Sequence, residues 1–199
     1  LTLGACGSGT ELSYIQVHLG SDDGIEFFGG TAGMDHVVVS GADDDSLDWD
    51  LGWRGDVQFL VIHQFPGVGD RAIEADNLGS NELATPRSNP RIFNATIIGA
   101  TDTTGILLRE GTRGTFRNMI IANMPGSPLD LAATTNVLAD EWPSQISIER
   151  TFFFGNGAIL ETGDTNDAMF DESAALMLAA RNNTFGTDPG FGSTSVTAP

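Results

Sequence analysis

A unit of 22 residues recurs near the start of this chain and limits its fold more than any other feature. Tyr14-Ile15-Gln16-Val17-His18 leads through the acidic bend Ser21-Asp22-Asp23-Gly24 into Ile25-Glu26-Phe27-Phe28. His36-Val37-Val38-Val39-Ser40 then leads through Asp43-Asp44-Asp45-Ser46 into Leu47-Asp48-Trp49-Asp50. Val17 to Ile25 is eight residues, and so is Val39 to Leu47. Short apolar runs and bends at a fixed period of this length predict a solenoid whose turns stack on one another. Chemistry in such a coil lies in columns of residues running up the stack, not in a local motif.

The register continues along the chain. Ile98 to Ile106 and Ile121 to Leu129 are again eight apart, Ile62 to Ile73 is three longer, and Phe153 to Ile159 is two shorter. One apolar column reads Val17, Val39, Ile62, Ile98, Ile121, Phe153; a second reads Leu3, Ile25, Leu47, Ile73, Ile106, Leu129, Ile159. Alternation along each strand sends both columns into the interior. Residues 77–90, with Asn, Gly, Ser, Glu and two prolines, read as a surface loop, and 132–144 as a second insertion. Asp171-Glu172 followed by Ser173 to Ala180 is the one good helix candidate. Asp171 can cap it, and Ala, Leu and Met favour it. We place it at the C-terminal end, where it covers an open rung.

The chain's 199 residues fit one domain, 1–199, of all-β class. No stretch is long and apolar enough to span a membrane. Its 27 acidic residues face nine arginines and no lysine, giving −18, which argues against nucleic-acid binding because that relies on cationic contacts to phosphate. Residues 22–76 hold 13 acids against Arg54 and Arg71, so −11 of the −18 lies there. Cys6 is alone, so there is no disulfide framework. Leu3-Gly4-Ala5-Cys6 looks like a lipoprotein cleavage box without its preceding segments, and we place Cys6 in a turn. A start in mid-rung suggests a segment of a longer secreted chain whose signal lies upstream.

Leu1-Thr2-Leu3-Gly4, Gly7-Ser8-Gly9-Thr10, Asp22-Asp23-Gly24-Ile25-Glu26-Phe27-Phe28-Gly29-Gly30-Thr31, Asp43-Asp44-Asp45-Ser46-Leu47-Asp48 and Gly52-Trp53-Arg54-Gly55 together resemble a family of secreted or surface proteins of Bacteroidetes and other Gram-negative bacteria. The likeness is most specific over residues 1–64 and extends to Phe191 through Asn182-Asn183-Thr184-Phe185-Gly186. It implies a right-handed parallel β-helix of the pectin-lyase-like type, here of about six rungs with a short C-terminal helix. It implies a secreted or cell-surface location and carries no established reaction, so kinship to pectinolytic enzymes does not fix activity.

Stacking the rungs aligns Asp22, Asp44 and Asp70 at one bend position. Glu26, Asp48 and Glu74 follow the inward Ile25, Leu47 and Ile73, so they face outward; Phe28, Asp50 and Asp76 come two positions later. Rungs lie about 4.8 Å apart, and two carboxylates at that distance repel by roughly 3 kcal/mol at an effective dielectric near 20. Carboxylate columns are therefore costly unless water, Arg54 or Arg71, protonation or a cation offsets them. Oxygen donors in irregular shells suit Ca²⁺, with Asp22, Glu26, Asp44, Asp48 and Glu74 as its ligands. The competing reading is a solvated acidic face in a salt-tolerant protein. Asp48-Trp49-Asp50-Leu51-Gly52 starts like an EF-hand loop but lacks its later ligands. His18 aligns with Ser40 and His63, so those histidines sit two rungs apart and cannot share a zinc.

Two classes of function remain. As a polysaccharide lyase or glycoside hydrolase, the chain would work in the acidic groove of residues 22–76, with Asp44, Asp45 and Asp70 as the carboxylate group and Arg71 as the base. The Gly-His-Gly and Arg-x-Lys elements of β-helix polygalacturonases are missing. Trp49, Trp53 and Phe28 suit packing between rungs better than sugar stacking. As a rigid extracellular module, the chain would serve structure, adhesion or binding, with glycans or cell-surface components as partners and end-to-end self-association at exposed strand edges. The second class fits better, because no acid, base and substrate-neutralising set converges at one level.

Overall fold

The computed structural model describes residues 1–100, 104–132, 141–157 and 170–191. The strands are β1 (Thr2–Gly4), β2 (Ser13–His18), β3 (Ile25–Phe28), β4 (Met34–Ser40), β5 (Leu47–Asp50), β6 (Asp56–His63), β7 (Arg71–Ala75) and β8 (Arg91–Ile98). They continue as β9 (Thr104–Arg109), β10 (Gly114–Arg117), β11 (Ile120–Ala122), β12 (Leu129–Ala132), β13 (Ile146–Glu149), β14 (Phe152–Phe154) and β15 (Thr184–Phe185). The chain alternates between two sheets, and every pairing among the described residues is parallel. One sheet has the order β1-β3-β5-β7-β9-β12; the other runs from β2 through β4, β6, β8, β11 and β14 to β15, with β10 and β13 beside it. This is a parallel β-helix.

Corners of the coil are set by left-handed residues. Tyr14, His36, Phe59, Asn94, Asn118, Arg150 and Asn182 have φ between 50° and 58° and follow one another in register. At this column β4, β6 and β8 turn, and on later rungs the strand breaks in two, as β10 and β11 and then β13 and β14. Asn tolerates the left-handed region, whereas other side chains pay about 1–2 kcal/mol there. The first three rungs carry Tyr14, His36 and Phe59 at this costly position. Their rings lie in contact, Tyr14 stacked on His36 at 4.6 Å and His36 tilted against Phe59 at 4.8 Å.

The interior holds the two expected columns, with two corrections. Ile25, Leu47, Ile73, Ile106 and Leu129 are direct neighbours in register, each 0–1% exposed. Leu3 stands on the same face but pairs with Phe27, not Ile25. In the other column Val17, Val39 and Ile62 are followed by Ile97, then Ile121, Phe153 and Phe185. Ile98 points the other way: the left-handed Asn94 fixes the frame of β8, and a one-residue slip reverses every side chain. Ile159 lies outside the described residues.

Tryptophans join the core. Trp53 stacks on Phe27 at 4.2 Å, and Trp49 lies 5.5 Å from Trp53 and 6.3 Å from Phe116. Both indole N–H groups are satisfied, Trp49 donating to Thr112 Oγ1 at 3.1 Å and Trp53 to the Ala32 carbonyl at 2.9 Å. Gly55 must be glycine here, because a Cβ would collide with that same Ala32 carbonyl. Phe28, by contrast, is exposed.

The helix α1 (Glu172–Met177) is capped by Asp171, whose carboxylate accepts the Ala174 N–H at 2.7 Å, and a 3-10 turn follows at Ala179–Arg181. Leu176 is fully buried, and the Glu172 carboxylate accepts the Leu131 N–H at 3.3 Å, so the helix covers β12. The 77–90 segment is anchored more firmly than a surface loop. Asn77, Arg87 and Ser88 are buried. Asn77 Nδ2 donates to the Glu82 and Ala84 carbonyls, and its Oδ1 accepts the Ser88 N–H at 2.8 Å. Arg87 and Arg113 both grip Glu141. Most of the 132–144 insertion lies outside the described residues. No helix among those described is long and apolar enough to cross a membrane.

Candidate functional site

Two acidic rows meet at the corner where the chain enters the first sheet. On its outward face Glu26 lies opposite Asp48, and Asp48 opposite Glu74, because each follows an inward aliphatic residue in the alternation of β3, β5 and β7. Thr2 bounds this column, its Oγ1 donating to Glu26 Oε2 at 3.1 Å, and Leu107 closes it opposite Glu74. A second column runs from Phe28 to Asp50, and the register carries it on through Asp76 to Arg109.

The bends nest into one another. Asp45 N–H donates to Asp23 Oδ1 at 3.0 Å, Arg71 N–H donates to Asp45 Oδ1 at 2.7 Å, and Asp70 N–H donates to the Asp44 carbonyl at 3.2 Å. Asp23 and Asp45 are therefore each fixed by the backbone of the next turn. Asp22, Asp44 and Asp70 stay exposed while Asp45 is 5% exposed.

Carboxylate oxygens come within 4.8 Å of one another in three groups: Asp22, Asp23 and Asp44; Asp23, Glu26 and Asp48; and Asp44, Asp45 and Asp70. Burial pushes Asp48 up to about 8, helped by the charges of Asp23 and Glu74, and burial with the Glu74 charge pushes Asp45 up to about 8. Burial also raises Asp23, partly offset by the Asp45 N–H. Asp48 Oδ1 is enclosed without a hydrogen-bond partner. A buried carboxylate oxygen facing two further carboxylates is a hard, anionic donor set, and it fits Ca²⁺ better than a softer metal.

Of the five expected ligands, Asp22, Glu26, Asp44 and Asp48 gather around Asp23, which the sequence reading left out although it sits in the same bend. Glu74 is engaged elsewhere: Arg109 Nη2 donates to Glu74 Oε2 at 2.6 Å, and Arg109 Nε reaches both Asp76 oxygens at 2.8 and 3.0 Å. Arg109 also escaped the sequence reading. Continuing the Phe28, Asp50, Asp76 column by one rung finds it.

The expected catalytic group is assembled in part. Asp44, Asp45 and Asp70 do meet, but Asp45 lies under the bend, away from solvent. Arg71 Nη1 donates to Asp70 Oδ1, so its charge is already paired. His18, Ser40 and His63 align as expected, with His18 Nδ1 and Ser40 Oγ 2.9 Å apart.

No curated protein and no solved structure matches the chain. Residues 1–191 match the family model described as a pectate-lyase like beta helix domain. That match spans both sheets, the acidic corner and the capping helix, and the chain belongs to this β-helix family.

Proposed function

We propose that this chain is an extracellular binding or structural module, secreted or displayed at a cell surface, whose β-helix is stabilised by calcium. The observation that carries the reading is the Asp23, Glu26 and Asp48 group, whose oxygens lie within 4.8 Å of one another around an enclosed, unpartnered Asp48 Oδ1. Three carboxylates held this close and partly away from water need protons or a cation. Asp22 and Asp44 extend the donor set at its exposed side, so Asp22, Asp23, Glu26, Asp44 and Asp48 would hold the ion. Binding to the folded state alone adds about 2.7 kcal/mol at a hundredfold excess over Kd. Millimolar calcium should raise the melting temperature of the chain over that in EDTA, and Asp48→Asn should abolish the gain. Equal melting temperatures in calcium and EDTA would refute the site.

A polysaccharide lyase or hydrolase is the second reading, favoured by the family description and by the meeting of Asp44, Asp45 and Asp70. Against it, the two arginines of this corner are spent on carboxylates, Arg71 on Asp70 and Arg109 on Glu74 and Asp76. Incubation with calcium and a panel of plant, algal and bacterial polysaccharides decides between the two. Unsaturated uronate absorbance or new reducing ends, lost in Asp44→Ala or Arg71→Ala, would establish the enzyme.

A further inference from the structure

The corner by which the chain leaves the first sheet differs in chemistry from the acidic corner by which it enters. Two adjoining hollows of about 590 and 690 Å³ lie there and share Ser8, Gly33, Asp56 and Arg91. Their size falls within the range of small-ligand sites. The charged residues lining them are Glu11, Asp35 and Asp56 against Arg54 and Arg91. Three acids and two arginines leave −1, in a chain that carries −18.

The polar groups are held in place. Arg91 Nε and Nη2 donate to the two Asp56 oxygens at 2.6 and 2.5 Å, and Ser13 Oγ donates to Asp35 Oδ1 at 2.5 Å. Ser13, Asp35, Gln58 and Phe93 are successive neighbours in register and form one wall. The next residue on the first three of those strands belongs to the left-handed column, so the rings of Tyr14, His36 and Phe59 adjoin that wall in sequence, just outside the residues that line the hollows. Tyr14 is 80% exposed and Phe59 46%. Three exposed rings at a backbone position that disfavours them have no role in the core.

We propose that this trough binds a neutral oligosaccharide, with the Ser13, Asp35, Gln58 and Arg91 side chains hydrogen-bonding its hydroxyls and the Tyr14, His36, Phe59 ladder contacting its C–H faces. The inference deepens the reading of the chain as an extracellular binding module and rests on it. Planar carboxylate, amide and guanidinium groups offer paired donors and acceptors at the spacing of adjacent sugar hydroxyls. Ring surfaces beside the wall supply contact area with little conformational entropy to lose. An anionic polymer is disfavoured by the surrounding charge. Of its apolar lining residues Met34 and Val57 are buried, which leaves Leu12 and Phe93, half-buried, as apolar patches beside the polar wall where a sugar's C–H faces can rest.

The test is calorimetric titration of the chain in calcium buffer with the hexasaccharides of cellulose, xylan and mannan, and with hexagalacturonate. We expect at least one neutral hexasaccharide to bind, and hexagalacturonate to bind about tenfold more weakly or not at all. Gln58→Ala with Arg91→Ala, and separately Tyr14→Ala with Phe59→Ala, should each weaken binding about tenfold or more. Met177→Ala, an exposed position on the capping helix, should leave it unchanged. The Tyr14 and Phe59 side chains are exposed, so that pair keeps the test valid if the wall variant is destabilised. Failure of all three neutral sugars to bind, or binding that ignores the trough variants, overturns the proposal. Calcium melting curves on the same samples separate this failure from failure of the calcium-stabilised module.

Discussion

Asp48 must find either a proton or a cation, since its enclosed oxygen has no hydrogen bond and Asp23, Glu26 and Glu74 surround it. The sign of the resulting pH dependence follows from linkage. Its folded value of about 8 lies above the ordinary 3.8, so between those values the folded chain keeps a proton that the unfolded chain has released. Stability from this group is therefore complete below about pH 4 and is lost as the pH climbs through about 8, and Asp45 acts in the same direction. In EDTA the melting temperature should fall between pH 5 and 8, and Asp48→Asn should flatten that slope. Calcium should flatten it too, because a bound cation replaces the proton. A rising or level profile in EDTA would contradict the burial argument. The sequence made the column legible, since Glu26, Asp48 and Glu74 each follow an inward aliphatic residue. It did not reveal which acid is enclosed, because enclosure depends on how the bends nest, and Asp23 went unnoticed beside the more regular Asp22.

Strands β3, β5 and β7 hold their register because each presents one large aliphatic residue to the next. Leu47 sits between Ile25 and Ile73, with no exposed surface. Leu47→Asp removes about 2 kcal/mol of apolar burial and adds an unpaired charge, so a loss of about 4 kcal/mol or more is expected. A urea midpoint near that of the parent chain would count against the interior column. The 77–90 loop obeys a different logic. Asn77 makes three side-chain bonds to the backbone of its own loop while 1% exposed, and Asn77→Ala should cost about 2–4 kcal/mol, read as a lowered urea midpoint. Composition correctly marked this segment as an interruption of the rungs but not as an anchored one, because Arg87 is held by Gly111 and Glu141, far along the chain. The misplaced Ile98 has a similar origin. Ile97 and Ile98 are both apolar, so hydrophobicity alone cannot choose between them; the left-handed Asn94 does.

Across the whole molecule the charge of −18 acts on stability separately from any single site. Self-repulsion opposes the compact state, and it is screened over about 30 Å at 0.01 M salt but about 8 Å at 0.15 M. Added sodium chloride should therefore raise the melting temperature smoothly, and Asp48→Asn should leave most of that rise intact because one charge in many is removed. Calcium held among Asp23, Glu26 and Asp48, as proposed, would behave differently: it would saturate at millimolar concentration and depend on that one side chain. The deciding measurement holds ionic strength at 0.15 M while exchanging part of the sodium for calcium. A further, saturable rise in melting temperature that disappears in Asp48→Asn is the expected outcome. If calcium and sodium are interchangeable at equal ionic strength, the acidic corner is a solvated face whose charge the solenoid merely tolerates.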